Sequence, residues 1–298
     1  MIATTIATIS GLSPNARGAL WVAVGGFFFT VMVALIKEIG DEVPVVQILF
    51  FRQVVMMLTV APVLAANYRV AFRTKHVKLH AARVVLAMIA MVLGFTAVVH
   101  LPLAEATALG FSKTMFVTLF AVYFLHELAG PRRWIVVIVG FIGVLVMLRP
   151  GLQDINLYAI LVLISAMAAG AIMVIIRKVA QDDHPVTILS IQAVFVGLLM
   201  GVPCAIFWVT PTLEQWVAMG VIGVVSAVGQ YCNIRGFRSG EASAVAPMEY
   251  LRLVFAIILG LLLFAEVPDI ITLIGALLIA GSSIYAIRAE HAEQASDV

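Results

Sequence analysis

The sequence predicts an all-α integral membrane protein, with ten transmembrane helices arranged as two inverted five-helix repeats around a central cavity. Three observations carry this. The 298 residues are 63% hydrophobic and 11% charged, with mean hydropathy +1.13; an ordinary globular domain is about 45–50% apolar and about 25% charged. No soluble fold of this size can hide so much apolar surface, so the solvent is lipid. The apolar residues fall into ten runs, each close to the roughly 20 residues that a helix needs to cross the hydrocarbon core. Finally, the basic residues of the separators fall almost entirely on alternate loops.

The first run, 18–36, follows "MIATTIATISGLSPNAR", which lacks a basic n-region and an A-x-A cleavage pattern; it reads as a retained span behind a short segment, 1–17. "KEIGDEVP" separates it from the second run, 44–66, and "NYRVAFRTKHVK" leads to the third, 80–100. "HLPLAE" turns into the fourth, 103–125, and "HELAGPRR" into the fifth, 132–149. After "RPGLQD" come the sixth, 155–177, the seventh, 185–207, and the eighth, 212–235, divided by "RKVAQDDHP" and "VTPTLEQ". "FRSGE" and "EVPD" bracket the ninth, 241–264, and the tenth, 268–288, runs into a tail, 289–298. The separators are rich in glycine, proline and charge. None is long enough for a folded soluble domain.

Placing the N-terminus inside puts thirteen basic residues in cytoplasmic segments: Arg17, Arg69, Arg73, Lys75, Lys78, Arg83, Arg132, Arg133, Arg177, Lys178, Arg235, Arg238 and Arg288. The other loops hold two, Lys37 and Arg149. This positive-inside bias predicts cytoplasmic termini in an inner membrane, and a missed span would scramble it.

Ten spans divide into two fives that meet near "RPGLQD", giving units 18–150 and 155–288. A duplicated unit with an odd number of spans inserts upside down the second time, as in many secondary transporters. At an offset of 136, "FTAVVHLPLAEATAL" lies on "YCNIRGFRSGEASAV", matching Glu105 to Glu241 and Ala106 to Ala242. Glu127 matches Glu266 at 139. Lys113, ten residues past Leu103 and so about 15 Å into the core, then corresponds to Glu249 at one offset and to Arg252 at the other. Pro247 is expected to kink the ninth helix.

A charge at mid-bilayer costs about 2.5–3.5 kcal/mol on the insertion scale. Arg52 lies near enough to an interface to snorkel, whereas Lys113 and Arg252 are too central. Glu249 and Arg252, spaced i,i+3, share a helix face and could neutralise one another. The deep charges are three cations and one anion. That excess suits a ligand bearing a carboxylate, with Glu249 left for an amino group. His100, Gln230, Tyr231 and Asn233 add polarity at the ends of the third and eighth spans, and "GQYCNIRGF" is too polar to face lipid. His100 also reads as an interfacial cap. Trp134, Trp208, Trp216 and Tyr68 lie where interfacial aromatic anchors do, and the paired glycines read as close helix contacts.

Cys204 and Cys232, both in apolar runs, suggest neither a disulfide framework nor a metal site. There is no G-x-x-x-x-G-K-[ST] loop for ATP, no H-E-x-x-H and no G-x-S-x-G elbow, and the deep polar groups form no nucleophile–base set. The expectation is therefore a non-enzyme without a cofactor or a nucleic-acid partner. A channel is the competing class, although channels assemble rings of like groups around an axis; a receptor would need a sensing module that these loops cannot provide.

Two runs carry a family resemblance: "LPLAEATALGFSKTMFVTLFAVYFLHE" followed by "GFIGVLVMLRPG", and the ending "GEASAVAPMEYLRLVFAIILGLLLFAEVPDIITLIGALLIAGSSIYAIR". Over nearly its whole length the chain resembles the drug/metabolite transporter superfamily, EamA type. The resemblance implies a basket of ten helices in which the first, third, fourth, sixth, eighth and ninth spans line the cavity. Lys113, Glu249, Arg252 and Tyr231 are then lining residues, with Phe111, Phe116 and Phe255 as apolar walls, and Arg52 is less favoured. It also implies a bacterial inner-membrane carrier of small metabolites working by alternating access. Amino-acid export of the YddG type is the first expectation, and uptake of S-adenosylmethionine or a related metabolite the second.

Overall fold

The computed structural model describes residues 13–66, 68, 72–125, 131–149, 156–239 and 246–296, and among them there are helices and connections but no strand. In chain order the helices are α1 (Pro14–Ile39), α2 (Val45–Ala66), α3 (Val77–His100), α4 (Leu103–Gly110), α5 (Lys113–Leu125), α6 (Pro131–Leu148), α7 (Leu157–Val179), α8 (Pro185–Ile206), α9 (Leu213–Ser239), a 3₁₀ turn (Ala246–Tyr250), α10 (Leu251–Phe264) and α11 (Ile270–Ser296). Six helical segments are long and apolar enough to cross a membrane by themselves: α1, α3, α4 with α5, α7, α8 and α9. The apolar stretches of α2, α6 and α11 are shorter. With the 3₁₀ turn and α10 as the ninth span, this is the expected order of ten.

Local chemistry starts these helices where they start. The Ser13 hydroxyl accepts from Ala16 N at 3.3 Å, and Pro14 holds the first turn. Asn156 caps α7 through Tyr158 N at 2.9 Å. Thr212 and Gln215 form a reciprocal capping box on α9, at 2.9 and 3.3 Å. The Asp269 carboxylate caps α11 through Thr272 N at 2.7 Å.

The fourth span departs from the uninterrupted helix expected over 103–125, and the ninth, expected over 241–264 with a kink at Pro247, is broken there. Between α4 and α5 the amides of Phe111 and Ser112 bond to carbonyls three residues back, Ala108 and Leu109, as do those of Thr114 and Met115 to Phe111 and Ser112. The chain tightens to 3₁₀ pitch there. The ninth span makes its own 3₁₀ turn just before α10. Lys113 and Arg252 therefore each sit in the first turn after an interruption, at equivalent places in the two halves.

The two-fold relation is visible in the packing. α1 lies along α9 and, equivalently, α3 along α7; α6 pairs with α11 and α2 with α8 across the pseudo-axis. It extends to single hydrogen bonds. In the α1–α2 turn, Glu42 N and Val43 N both donate to Ile39 O, at 3.2 and 2.9 Å; in the α7–α8 turn, Asp182 N and Asp183 N both donate to Val179 O, at 3.2 and 2.8 Å. Gln47 N to Pro44 O and Thr187 N to His184 O follow at 2.8 and 2.9 Å. The offset here is 140. Close helix approach depends on small residues: a Cβ at Gly25 would lie 3.0 Å from Gly229 O, and one at Gly275 would lie 2.8 Å from Gly143 O. The expected pairs Glu105–Glu241 and Glu127–Glu266 cannot be compared, because 126–130 and 240–245 fall outside the described residues, as does the junction at 150–155.

Candidate functional site

A cavity of about 220 Å³ lies between α1, α3, α4, α5, α7 and α10. Its floor and walls are set by helical periodicity. Ala106, Thr107, Gly110 and Lys113 recur at three- and four-residue steps down the fourth span, and Ala90, Gly94 and Val98 at four-residue steps on α3. Phe95, Phe111, Val33, Val162, Ser165 and Arg252 complete the lining.

Two cations face this space, Lys113 from the fourth span and Arg252 from the ninth. Lys113 makes no hydrogen bond or ion pair with another described residue. The Arg252 side chain crosses α1 at Gly26, where a Cβ would lie 2.9 Å from its Cγ. Its guanidinium stands 5.3 Å from the centre of the Phe29 ring, and its Nε is buried without a hydrogen-bond partner among the described residues. The two hydroxyls spend their protons on the backbone: Thr107 Oγ1 donates to Leu103 O and Ser165 Oγ to Ala90 O, each at 2.7 Å. Their oxygens are left as acceptors. The cavity thus offers two positive donors, two neutral acceptors and two aromatic faces.

The remaining sequence-derived residues lie elsewhere. Glu249, on the 3₁₀ turn, is half-buried outside the cavity lining, with Asn233 Nδ2 3.5 Å away. Tyr231 is exposed on α9, with the Trp21 ring at 6.3 Å and the Arg235 guanidinium at 5.8 Å. Gln230, its half-buried neighbour, is likewise outside the lining. His100 ends α3 at the surface, its ring 4.2 Å from that of Tyr158 and its Nδ1 4.0 Å from Asp41. Phe111 lines the cavity; Phe116 stacks on Phe120, and Phe255 packs on Phe27. Arg52 donates to Ser226 Oγ at 2.9 Å and lies 5.8 Å from the ring of Phe95, a lining residue. Thr107, Ser165 and Phe95 were not anticipated. For Thr107 the available signal was its place six residues before Lys113 on the same face of the fourth span; Ser165 and Phe95 lie on other helices.

Beyond the cavity, towards the end opposite the chain termini, Lys37 pairs with Glu266 at 2.6 Å, and Glu266 also accepts from Leu103 N at 2.7 Å. Arg149 bonds Asp269 there; that hydrogen bond first, then those from Thr272, holds the Asp269 carboxyl down at about 2.

Comparison with known proteins agrees with this architecture. The EamA-like transporter family model matches residues 16–149 and again 156–288. The chain is 33% identical over 272 residues to the pseudopaline exporter CntI of Pseudomonas aeruginosa (strain UCBPP-PA14), covering 90% of this chain and 94% of that one. It is 30% identical to a riboflavin transporter of Brucella anthropi, over 83% of this chain and 89% of that one. It is 26% identical to an S-adenosylmethionine uptake transporter of Rickettsia bellii, over 85% and 87%. A solved crystal structure, 17% identical, superposes with a TM-score of 0.59 over 91% of this chain and 96% of its own, which bears on the fold alone. With two matched repeats and relatives that are all transporters, this chain belongs to the EamA-like transporter family of the drug/metabolite transporter superfamily and is an integral inner-membrane protein.

Proposed function

We propose that the chain is a secondary carrier, neither an enzyme nor a channel, that exports small carboxylate-bearing metabolites, amino acids first among them, with both termini cytoplasmic. The supporting observation is the pair Lys113 and Arg252, two cations facing one cavity of about 220 Å³ with no carboxylate in its lining. Glu249 acts on Arg252 electrostatically from outside the lining, which leaves one cation in excess; uncompensated charge at that depth is costly, and a substrate carboxylate offsets the cost only while it is bound. The Thr107 and Ser165 oxygens would accept from a substrate ammonium, and Phe95 and Phe111 would take an apolar side chain. A volume this small suits a ligand of amino-acid size. The inverted halves supply two mirror-related shapes that rock about a fixed midplane site. The repeat units are assigned as 18–150 and 155–288.

Export is favoured over uptake because an exporter is the more similar relative, at 33% against 26% for the S-adenosylmethionine uptake carrier. Glu249, Tyr231, His100, Gln230 and Asn233 are assigned to the translocation route beyond the cavity. The test is a flux screen in proteoliposomes with radiolabelled amino acids and dicarboxylates, with and without a pH gradient. Saturable, competable flux that Lys113→Ala and Arg252→Ala each reduce by more than about tenfold is expected; loss of one charge-assisted contact is worth that much or more. Conductive, non-saturating flux would mean a channel, and full activity of both variants would remove the pair from the site.

A further inference from the structure

The two halves are alike in backbone but not in what they bury at the tips. With α1–α2 matched to α7–α8 at an offset of 140, Glu42 corresponds to Asp182 and Val43 to Asp183. Carrying the match into α3 and α9 at 139 pairs His76 with Gln215, His80 with Met219 and Arg83 with Ile222. This superposes two polar contacts, His76 Nε2–Asp182 Oδ2 at 2.7 Å and Gln215 Nε2 to Glu42 Oε2 at 2.6 Å.

One layer deeper the ends diverge. Opposite the termini, Val43, Ile48, Met219 and Ile222 share one apolar cluster, each no more than 1% exposed. At the end bearing the termini, the equivalent places hold Asp183, His80 and Arg83, also buried. His80 Nε2 lies 2.7 Å from Asp183 Oδ2, and the Thr74 hydroxyl donates to that same oxygen at 2.6 Å. Arg83 does not join them; its Nη2 donates to Ile188 O at 2.7 Å.

We propose that His80 and Asp183 form a proton-binding latch at the end bearing the termini, with the imidazolium holding the α7–α8 turn onto α3 and its deprotonation releasing it. In the charged form the buried pair carries no net charge. When the proton leaves Nδ1, the Nε2–H and the Thr74 hydroxyl still donate to Asp183, but the buried pair now carries a net negative charge, and parting lets water solvate it. Nδ1 is the site of exchange: it is buried and has no hydrogen-bond partner among the described residues, while Nε2 is held by Asp183, so the Nδ1 proton leaves when the turn lifts enough to admit water. His80 also lines an apolar cleft of about 440 Å³ between α3 and α8, where Thr74 is the one other polar side chain.

The titratable and charged groups around the pair are few. α3 contributes His76 and Arg83, and the α7–α8 turn contributes Asp182, with exposed His184 beyond it; Arg177 and Lys178 lie exposed at the end of α7. α8 offers the Ile188 carbonyl and the apolar Ile191, Phe195 and Leu199. Burial pushes the Asp183 carboxyl up, but the Thr74 hydroxyl and the His80 ring outweigh it and hold it below its ordinary value. Asp183 therefore stays ionised across neutral pH.

The test needs no substrate. In full-length protein with Cys204 and Cys232 replaced by alanine, spin labels at Val77→Cys and Gln181→Cys span the latch, and labels at Asp41→Cys and Leu213→Cys span the opposite tip. Between about pH 5.5 and about pH 8.5, the range in which histidine titrates, the first pair is expected to gain a longer-distance population as pH rises, while the second does not change. His80→Met with Asp183→Val, which copies the opposite tip, is expected to keep the short distance at both pH values. His80→Gln, which keeps a donor to Asp183 but cannot titrate, is expected to lose the response. A first-pair distance that ignores pH, or a response that survives either replacement, overturns the proposal.

Discussion

Opposite the chain termini, the turn after α1 presses Val43 into a cluster with Met219 and Ile222; at the end bearing them, the same turn sets Asp183 against His80 beside Arg83. Duplication fixed the backbone of both, down to equivalent hydrogen bonds, and left the buried side chains free to diverge. The difference teaches what each tip can sense. An apolar contact parts and re-forms at a cost set by area, nearly independent of pH. A buried ion pair cannot part without solvating both charges, and its strength follows the proton. Symmetry of fold is therefore compatible with asymmetry of control.

The largest expected effect comes from putting half of one tip into the other. Val43→Asp buries a carboxylate with no partner among Ile48, Met219 and Ile222, and should destabilise the protein by about 3–5 kcal/mol, read as a fall in the detergent thermal midpoint. Adding Met219→His should recover part of it. Removing half of the existing pair is comparable: His80→Met alone should cost about 3 kcal/mol, whereas His80→Met with Asp183→Val should be neutral or stabilising by about 1–4 kcal/mol. If the single and double variants behaved alike, the two residues would not be coupled.

Gly26→Ala comes next. Its Cβ would meet Arg252 Cγ at 2.9 Å, so overpacking should cost about 1–3 kcal/mol and move the guanidinium, reducing flux more than stability.

The acidic residues at the two ends respond to pH in the same direction. Asp269, held at about 2 by Arg149, contributes stability that is fully present above the ordinary aspartate value near 3.9 and lost as pH falls through about 2. Asp183, also lowered, loses its contribution as pH drops below that same ordinary value. A midpoint that rose on acidification from about pH 4 would contradict both assignments. The smallest effect should come from the exposed outer contact: Glu42→Ala, which removes the acceptor for Gln215 Nε2 and leaves the α9 capping box intact, is expected to shift stability by less than about 1 kcal/mol.

Much of the fold was legible because lipid imposes length and polarity on every span: ten runs and an odd-numbered repeat. The interruption at 111–112 was not, since a 3₁₀ turn leaves no compositional mark when the residues around it are as apolar as "FSKTMFVTLF"; the one before Leu251 was marked by Pro247. Lys113 and Arg252 could be singled out because a charge deep in lipid is conspicuous. Thr107 and Ser165 stood out far less, because a neutral hydroxyl that finds a backbone carbonyl, Leu103 O on its own helix or Ala90 O on α3, costs little in a membrane. Glu249 looked equivalent to them by depth alone, but the 3₁₀ turn rotates it out of the cavity lining, towards Asn233. The His80–Asp183 pair was not singled out, Asp183 falling in a separator and His80 at the start of the third run, because its meaning depends on a contact between residues 103 positions apart.

The central claim is that the cavity holding Lys113 opens by turns to the two sides of the membrane. It is tested most directly with Lys113→Cys in reconstituted protein lacking Cys204 and Cys232, treated with a membrane-impermeant thiol reagent from one side and then from the other. The account predicts labelling from both sides, with locked conformers reacting from one side each. Labelling only by lipid-soluble reagents, or from a single side in every condition, would contradict it.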